Sequence, residues 1–205
     1  MRTLSHWLSV LLHPLFMPLF TLVVAFQLDH RLSFFLPPGM RLLTFGMVLV
    51  LTVLFPLTSA LMLVRGGLVT DLRMERREER IAPFVMTLFY YGLCYYLLRR
   101  SVQHESTLAL FLGAILALAL TLLISLRWKI SAHMVGIGGL LGGLSGLLWK
   151  HGTFAPTEMA LFIVLAGALG TARLLVSDHS PAQVAAGFVL GFACVLATVA
   201  GGLAF

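Results

Sequence analysis

The sequence predicts an all-α integral membrane protein, a polytopic bundle of about seven transmembrane helices in a single domain over residues 1–205. Three observations predict it. Hydrophobic residues make up 60% of the chain and charged residues only 11%, too few to cover a water-exposed surface. The apolar residues gather into seven runs, each close to the roughly 20 residues that cross a bilayer core of about 30 Å. Trp7, Trp128 and Trp149 all fall at the ends of such runs, where an aromatic belt belongs.

The runs cover 7–28, 41–64, 82–98, 106–126, 131–149, 156–176 and 181–204. Each is expected to be helical, because an isolated strand leaves its backbone groups unpaired in lipid. The first follows Arg2, exceeds the length of a signal-peptide core and has no small-x-small site after it, so it reads as a retained span. His13-Pro14 and Pro18 predict a kink in it. The second follows Pro37-Pro38-Gly39. The third is the shortest, with room to extend back toward Glu79. The fifth carries Gly138/Gly142, Gly139/Gly143 and Gly142/Gly146, small-xxx-small pairs that predict a closely packed central helix. The seventh opens on Ser180-Pro181-Ala182-Gln183, which fits a capping box with proline at the first helical position. Cys94 and Cys194 lie inside apolar runs and read as small apolar fillers, not as a disulfide.

The net charge is +6, and nearly all the basic residues are arginines, with Lys129 and Lys150 the two lysines. They fall between apolar runs. That placement favours anionic lipid as the partner and speaks against nucleic acid. Alternation of the seven spans puts 65–81, 127–133 and 173–181 on one membrane face. The basic count is nine on that face against five on the other, and six against five once Arg73, Arg80 and Arg173 are set aside as ligand-binding. Charge asymmetry therefore leaves the orientation open.

The unusual polar residues sit in those three segments. The first runs Asp71-Leu-Arg73-Met-Glu75-Arg76-Arg77-Glu78-Glu79-Arg80-Ile-Ala-Pro83. If helical, its arginines form one stripe flanked by glutamates, and its plain reading is an ion-paired juxtamembrane helix. The second is Lys129-Ile-Ser131-Ala132-His133, where Ser131 fits a helix cap. The third runs from Arg173 through Asp178, His179 and Ser180 to Gln183. Together they bring two histidines, at least three arginines and a serine to one face. Arginine binds phosphate oxygens bidentately and stays charged. One histidine can attack phosphorus and a second can protonate the leaving oxygen. No metal or other cofactor is required.

These residues resemble the three-part signature of the type-2 phosphatidic-acid phosphatase superfamily, in its integral-membrane lipid phosphatase branch. That signature reads K-x6-R-P, P-S-G-H and S-R-x5-H-x3-D. Arg73 and Arg80 keep the first spacing, with Arg for Lys and the proline two residues late at Pro83. Ser131-Ala132-His133 matches S-G-H with Ala for Gly, and Ile130 stands for the leading Pro. Arg173 and His179 keep R-x5-H, with Ala172 for Ser and Gln183 for the final Asp. The resemblance spans 71–183. It implies a six-helix core plus one helix, and a phosphohistidine mechanism on a lipid phosphomonoester or diphosphate, such as polyprenyl diphosphate or a phosphatidate. It implies His179 as nucleophile and His133 as general acid. Arg73, Arg80, Ser131, Ala132 (through its amide) and Arg173 would hold the phosphoryl group. Gln183, or Asp178 or Asp71 in its place, would orient His179. Bacterial members of the family imply an inner (plasma) membrane location with an outward-facing site.

Gln183 also motivates a second reading, a catalytically degenerate protein that binds or transports a lipid phosphate. Gly143-Leu-Ser145-Gly146 matches the G-x-S-G of intramembrane serine proteases, but no histidine follows it in the sixth or seventh span. A metal site built from His133, His179, Asp178 and Asp71 is opposed by the surrounding arginines.

Overall fold

The computed structural model describes residues 2–34, 36–72, 74, 76, 78–176 and 179–204, the side chains of Arg2, Leu4 and Ser33 excepted. Arg73 and Asp178 therefore lie outside the described residues. Among the described residues ten α-helices follow one another: α1 (Arg2–Leu11), α2 (Met17–Leu28), α3 (His30–Phe34), α4 (Pro38–Leu49), α5 (Phe55–Arg65), α6 (Ile81–Arg100), α7 (Glu105–Ser125), α8 (Ala132–His151), α9 (Pro156–Val176) and α10 (Pro181–Ala200). Grouped by continuity they make seven helices long and apolar enough to cross a membrane: Ser5–Leu28, Pro38–Arg65, Glu78–Arg100, and α7 to α10 singly. The third begins at Glu78, so the short apolar run does extend backward. Trp7, Trp128 and Trp149 are all exposed at or beside helix ends.

Two of the seven are interrupted. The first breaks fully at His13, beyond the expected kink. Proline has no N–H and disfavours helix in the residue before it. His13 is accordingly extended (φ −65°, ψ 139°), and a short 3-10 turn, Pro14–Phe16, leads into α2. The second carries a π segment, Val50–Leu54, just before Pro56. Pro56 cannot donate to the Thr52 carbonyl, and the Phe55 N–H reaches back to Val50 instead.

α8 is the central helix, with 67% of its apolar window buried against at most 39% for any other span. The glycines make this possible. Without a Cβ, Gly138 and Gly142 lie against the backbones of Phe188 and Phe192 on α10, while Gly191 meets the Val135 backbone. A Cβ on Gly187 would stand 2.6 Å from the Ser131 carbonyl oxygen. Gly142→Val is therefore expected to destabilise the protein by about 1–3 kcal/mol or more, since Phe192 presents backbone that has nowhere to go. Thermal unfolding in detergent checks this, with the open-space Gly167→Ala as a control expected to stay near wild type.

Polar contacts tie the opposite end of the bundle. Asp29 pairs with His151, whose carbonyl accepts from Arg31 at 2.8 Å, and Lys150 bridges to Glu105 at 2.9 Å. Cys94 is fully buried, Cys194 is partly so, and both thiols are free.

Candidate functional site

His179 stands immediately before α10 and is buried. Its Nδ1 lies 3.2 Å from Gln183 Oε1. The same oxygen accepts from the Ser180 N–H at 3.0 Å, and the Ser180 hydroxyl accepts from the Gln183 N–H at 3.3 Å. The capping box expected at Ser180 and Gln183 is therefore formed. It has a chemical consequence. The Ser180 N–H can only donate, so the amide must present its oxygen, and His179 Nδ1 must carry the hydrogen. The lone pair of neutral His179 then sits on Nε2, the tautomer a nucleophile needs. Burial pushes the His179 pKa down to about 4; the Gln183 hydrogen bond opposes this, and the charges of Arg173, Arg80 and Lys129 add to it. The ring is thus neutral at physiological pH.

The start of α8 is docked onto the start of α10. The Ser131 N–H donates to the Gln183 carbonyl at 3.4 Å. Ser131 fits the N-cap position by backbone only; its hydroxyl does not cap the helix. That hydroxyl is fully buried and has no partner among the described residues. His133, the second residue of α8, places Nε2 3.1 Å from the Ser9 carbonyl of α1. A carbonyl only accepts, so Nε2 carries a hydrogen and Nδ1 is the ring nitrogen left for chemistry.

The arginine segment departs from expectation. Its described residues between Asp71 and Arg76 are turn and bend, and only Glu78–Arg80 forms a 3-10 turn ahead of α6. Among the described residues no helix runs through 71–77, and Arg73 and Arg77 of the expected stripe lie outside them. Glu79 reaches back to Thr70, accepting from its hydroxyl at 3.1 Å. Arg80 Nε donates at 2.8 Å to the carbonyl of Met74, a residue held at φ 48°. Asp71 Oδ1 accepts from the Met74 N–H at 3.1 Å.

These segments converge on one cavity of about 590 Å³. Its polar end is lined by Arg80, Lys129, Ala132, His133, Arg173 and His179, with His13 beside them. Its other end is apolar, formed by Leu22, Leu110, Phe111, Leu140 and Val195. Ala132 opens α8, so the positive end of the central helix dipole faces the cationic end of the cavity. Of the residues named from sequence, Arg80, Ala132, His133, Arg173 and His179 come together. Ser131, Gln183 and Asp71 do not line the cavity; Gln183 acts on it through His179. Ser145 is also outside the lining. Among the described residues, no three His, Cys, Asp or Glu side chains converge as metal ligands.

One wall was not foreseen. α1 packs along α9, whereas among the described residues neither α1 nor α2 packs closely on α5. The cavity is bounded by Val10, Pro14 and Pro18 on one side of that gap and by Pro56, Leu57 and Ala60 on the other. Nothing in residues 5–28 marks them as site-forming except His13, because the contact with His133 runs through a backbone carbonyl. The fold and site define an all-helical chain with an amphipathic cavity, cationic at one end. No family model matches the chain, and no curated protein or solved structure matches it either.

Proposed function

We propose that the protein is an integral membrane lipid phosphatase that hydrolyses a phosphomonoester or diphosphate of a membrane lipid through a phosphohistidine. The observation that carries this reading is the cavity. It joins Arg80, Arg173, His133 and His179 at one end to a buried apolar chamber at the other. A lipid has the same two parts, a charged phosphate and an apolar tail. The seven apolar helices support membrane insertion. The spacing of the arginines and histidines supports a relationship to the type-2 phosphatidic-acid phosphatases.

In this mechanism the arginines and the Ala132 amide hold the phosphoryl oxygens and stabilise the charge of the transition state. Nε2 of His179 attacks phosphorus. The bound phosphate monoester, as its monoanion, gives its proton to Nδ1 of His133, and the oxygen leaving to the lipid takes that proton as the phosphorus–oxygen bond breaks, while His133 Nε2 remains on the Ser9 carbonyl. Water then attacks phosphorus and gives its proton to Nδ1 of the now neutral His133, and the phosphorus–nitrogen bond breaks with its electron pair on Nε2, which returns His179 to its neutral form.

The test is phosphate release by purified protein in detergent, without added metal, over a panel of phosphatidate, polyprenyl diphosphate, phosphatidylglycerol phosphate and lipid A. At least one is expected to be hydrolysed. Arg173→Lys is expected to lower kcat/KM on it by about 10–100-fold, because a point charge replaces a bidentate fork. An Arg173→Lys protein as active as wild type would remove Arg173 from the phosphate site. A second reading rests on Gln183, a neutral amide where a carboxylate would assist His179: a binding or transport protein that holds the same headgroup without turnover. Binding of these lipids with no release across the panel would favour it.

A further inference from the structure

His13 lines the cavity yet belongs to none of the three motif segments. It sits at the break between α1 and α2. There the Leu15 N–H approaches His13 Nδ1 at 3.3 Å. An N–H donor needs a lone pair, so Nδ1 is unprotonated and neutral His13 carries its hydrogen on Nε2. No acceptor among the described residues meets that Nε2–H. The ring also meets His133 edge-on, with centroids 5.3 Å apart and planes at 80°. His13 is therefore the neighbour of the group assigned to the leaving oxygen, while the nucleophile, His179, is held by Gln183.

Building on the lipid-phosphatase reading, we infer that His13 is a further catalytic residue whose neutral ring donates an Nε2–H hydrogen bond to the leaving oxygen. The bond from His179 Nε2 to phosphorus forms as the phosphorus–oxygen bond to the lipid alcohol breaks. The electron pair of the broken bond stays on that oxygen, which takes the His133 Nδ1 proton. His13 keeps its own proton throughout and stabilises the oxygen while its charge develops. The geometry supplies a reason for a second donor. Nε2 of His133 is committed to Ser9, so a single atom, Nδ1, serves the leaving group. A neutral imidazole acting as an electrophile is an available chemical solution in enclosed sites.

The test uses the purified full chain in detergent and two substrates. Phosphatidate expels an alkanol, a poor leaving group that needs stabilisation. p-Nitrophenyl phosphate expels an acidic phenol that departs without it. His13→Phe keeps a ring and loses the donor. It is expected to lower kcat on phosphatidate by about 10²-fold, the usual cost of one such donor, with KM little changed and the aryl phosphate rate near wild type. His13→Gln retains an N–H donor of similar reach and is expected to recover part of the loss. Equal losses on both substrates, or no loss on phosphatidate, would overturn the role of His13. Activity of the wild type on the aryl phosphate alone would overturn it too, since no alkanol would then be served. Should His13→Phe fail to fold, His13→Met removes the donor in an aliphatic shape and is read in the same way. Wild-type protein that releases phosphate from neither substrate would overturn the phosphatase reading, an outcome distinct from failure of His13 alone.

Discussion

His179→Ala is expected to lower phosphate release from a lipid substrate by about 10⁴-fold or more, because removing a covalent nucleophile leaves only binding and electrostatic stabilisation to accelerate the reaction. Stability should change little. The ring makes one hydrogen bond, to Gln183, worth about 1 kcal/mol. The capping box survives, since the Ser180 N–H and Ser180 hydroxyl contacts with Gln183 do not involve the ring. Activity and folding are therefore separable in this variant. The direct companion measurement is trapping of the intermediate: substrate labelled in its phosphate should label wild-type protein in an acid-labile, base-stable form and leave His179→Ala unlabelled. Undiminished release by the alanine protein would remove His179 as nucleophile and transfer that role to another ring in the cavity.

The helices were legible because hydropathy dominates this chain. Apolar runs separated by short polar connections leave few ways to be wrong about helix number, and the glycines of α8 announced its central position. Arg173 and His179 were legible for a local reason: a six-residue step from the last turns of α9 to the start of α10 keeps both at one end of the bundle. The segment around Arg80 was less so. Its alternating charges satisfy a helical pattern on paper, but its described backbone turns instead, with Met74 at positive φ and its carbonyl anchored to Arg80. Side-chain pattern says little where the controlling bond is made to a carbonyl. The same holds for His133, whose partner is the Ser9 carbonyl, 124 positions away in sequence. The dual role of Gln183 was half legible. Its cap follows from spacing to Ser180, whereas its bond to His179 depends on how the chain enters α10. The first span, which carries none of the three motif segments, forms a wall of the cavity.

Gln183→Asp tests whether that amide limits the chemistry. A carboxylate at Nδ1 would stabilise the phosphoimidazolium that forms when Nε2 attacks phosphorus, and it would raise the nucleophilicity of Nε2. Removing such a carboxylate from a catalytic triad costs about 10⁴ in rate. Installing one here is expected to gain less, roughly 10–100-fold on the same scale, because aspartate is one methylene shorter and must also replace the cap acceptor for Ser180. The pH profile supplies the sign. Attack requires neutral His179, and burial sets its pKa at about 4 in the free protein, so the acid limb of kcat/KM should fall near that pH. A neighbouring negative charge favours the protonated ring and raises its pKa, moving the limb toward neutrality. The variant should therefore gain most above pH 7 and lose part of that advantage as pH falls. A faster enzyme with an unmoved acid limb would mean that the introduced carboxylate acts elsewhere than on His179. An inactive but folded variant would show that the amide is required as an amide, as the cap acceptor for Ser180 and the partner of His179 Nδ1, and would overturn the idea that a missing carboxylate limits the rate.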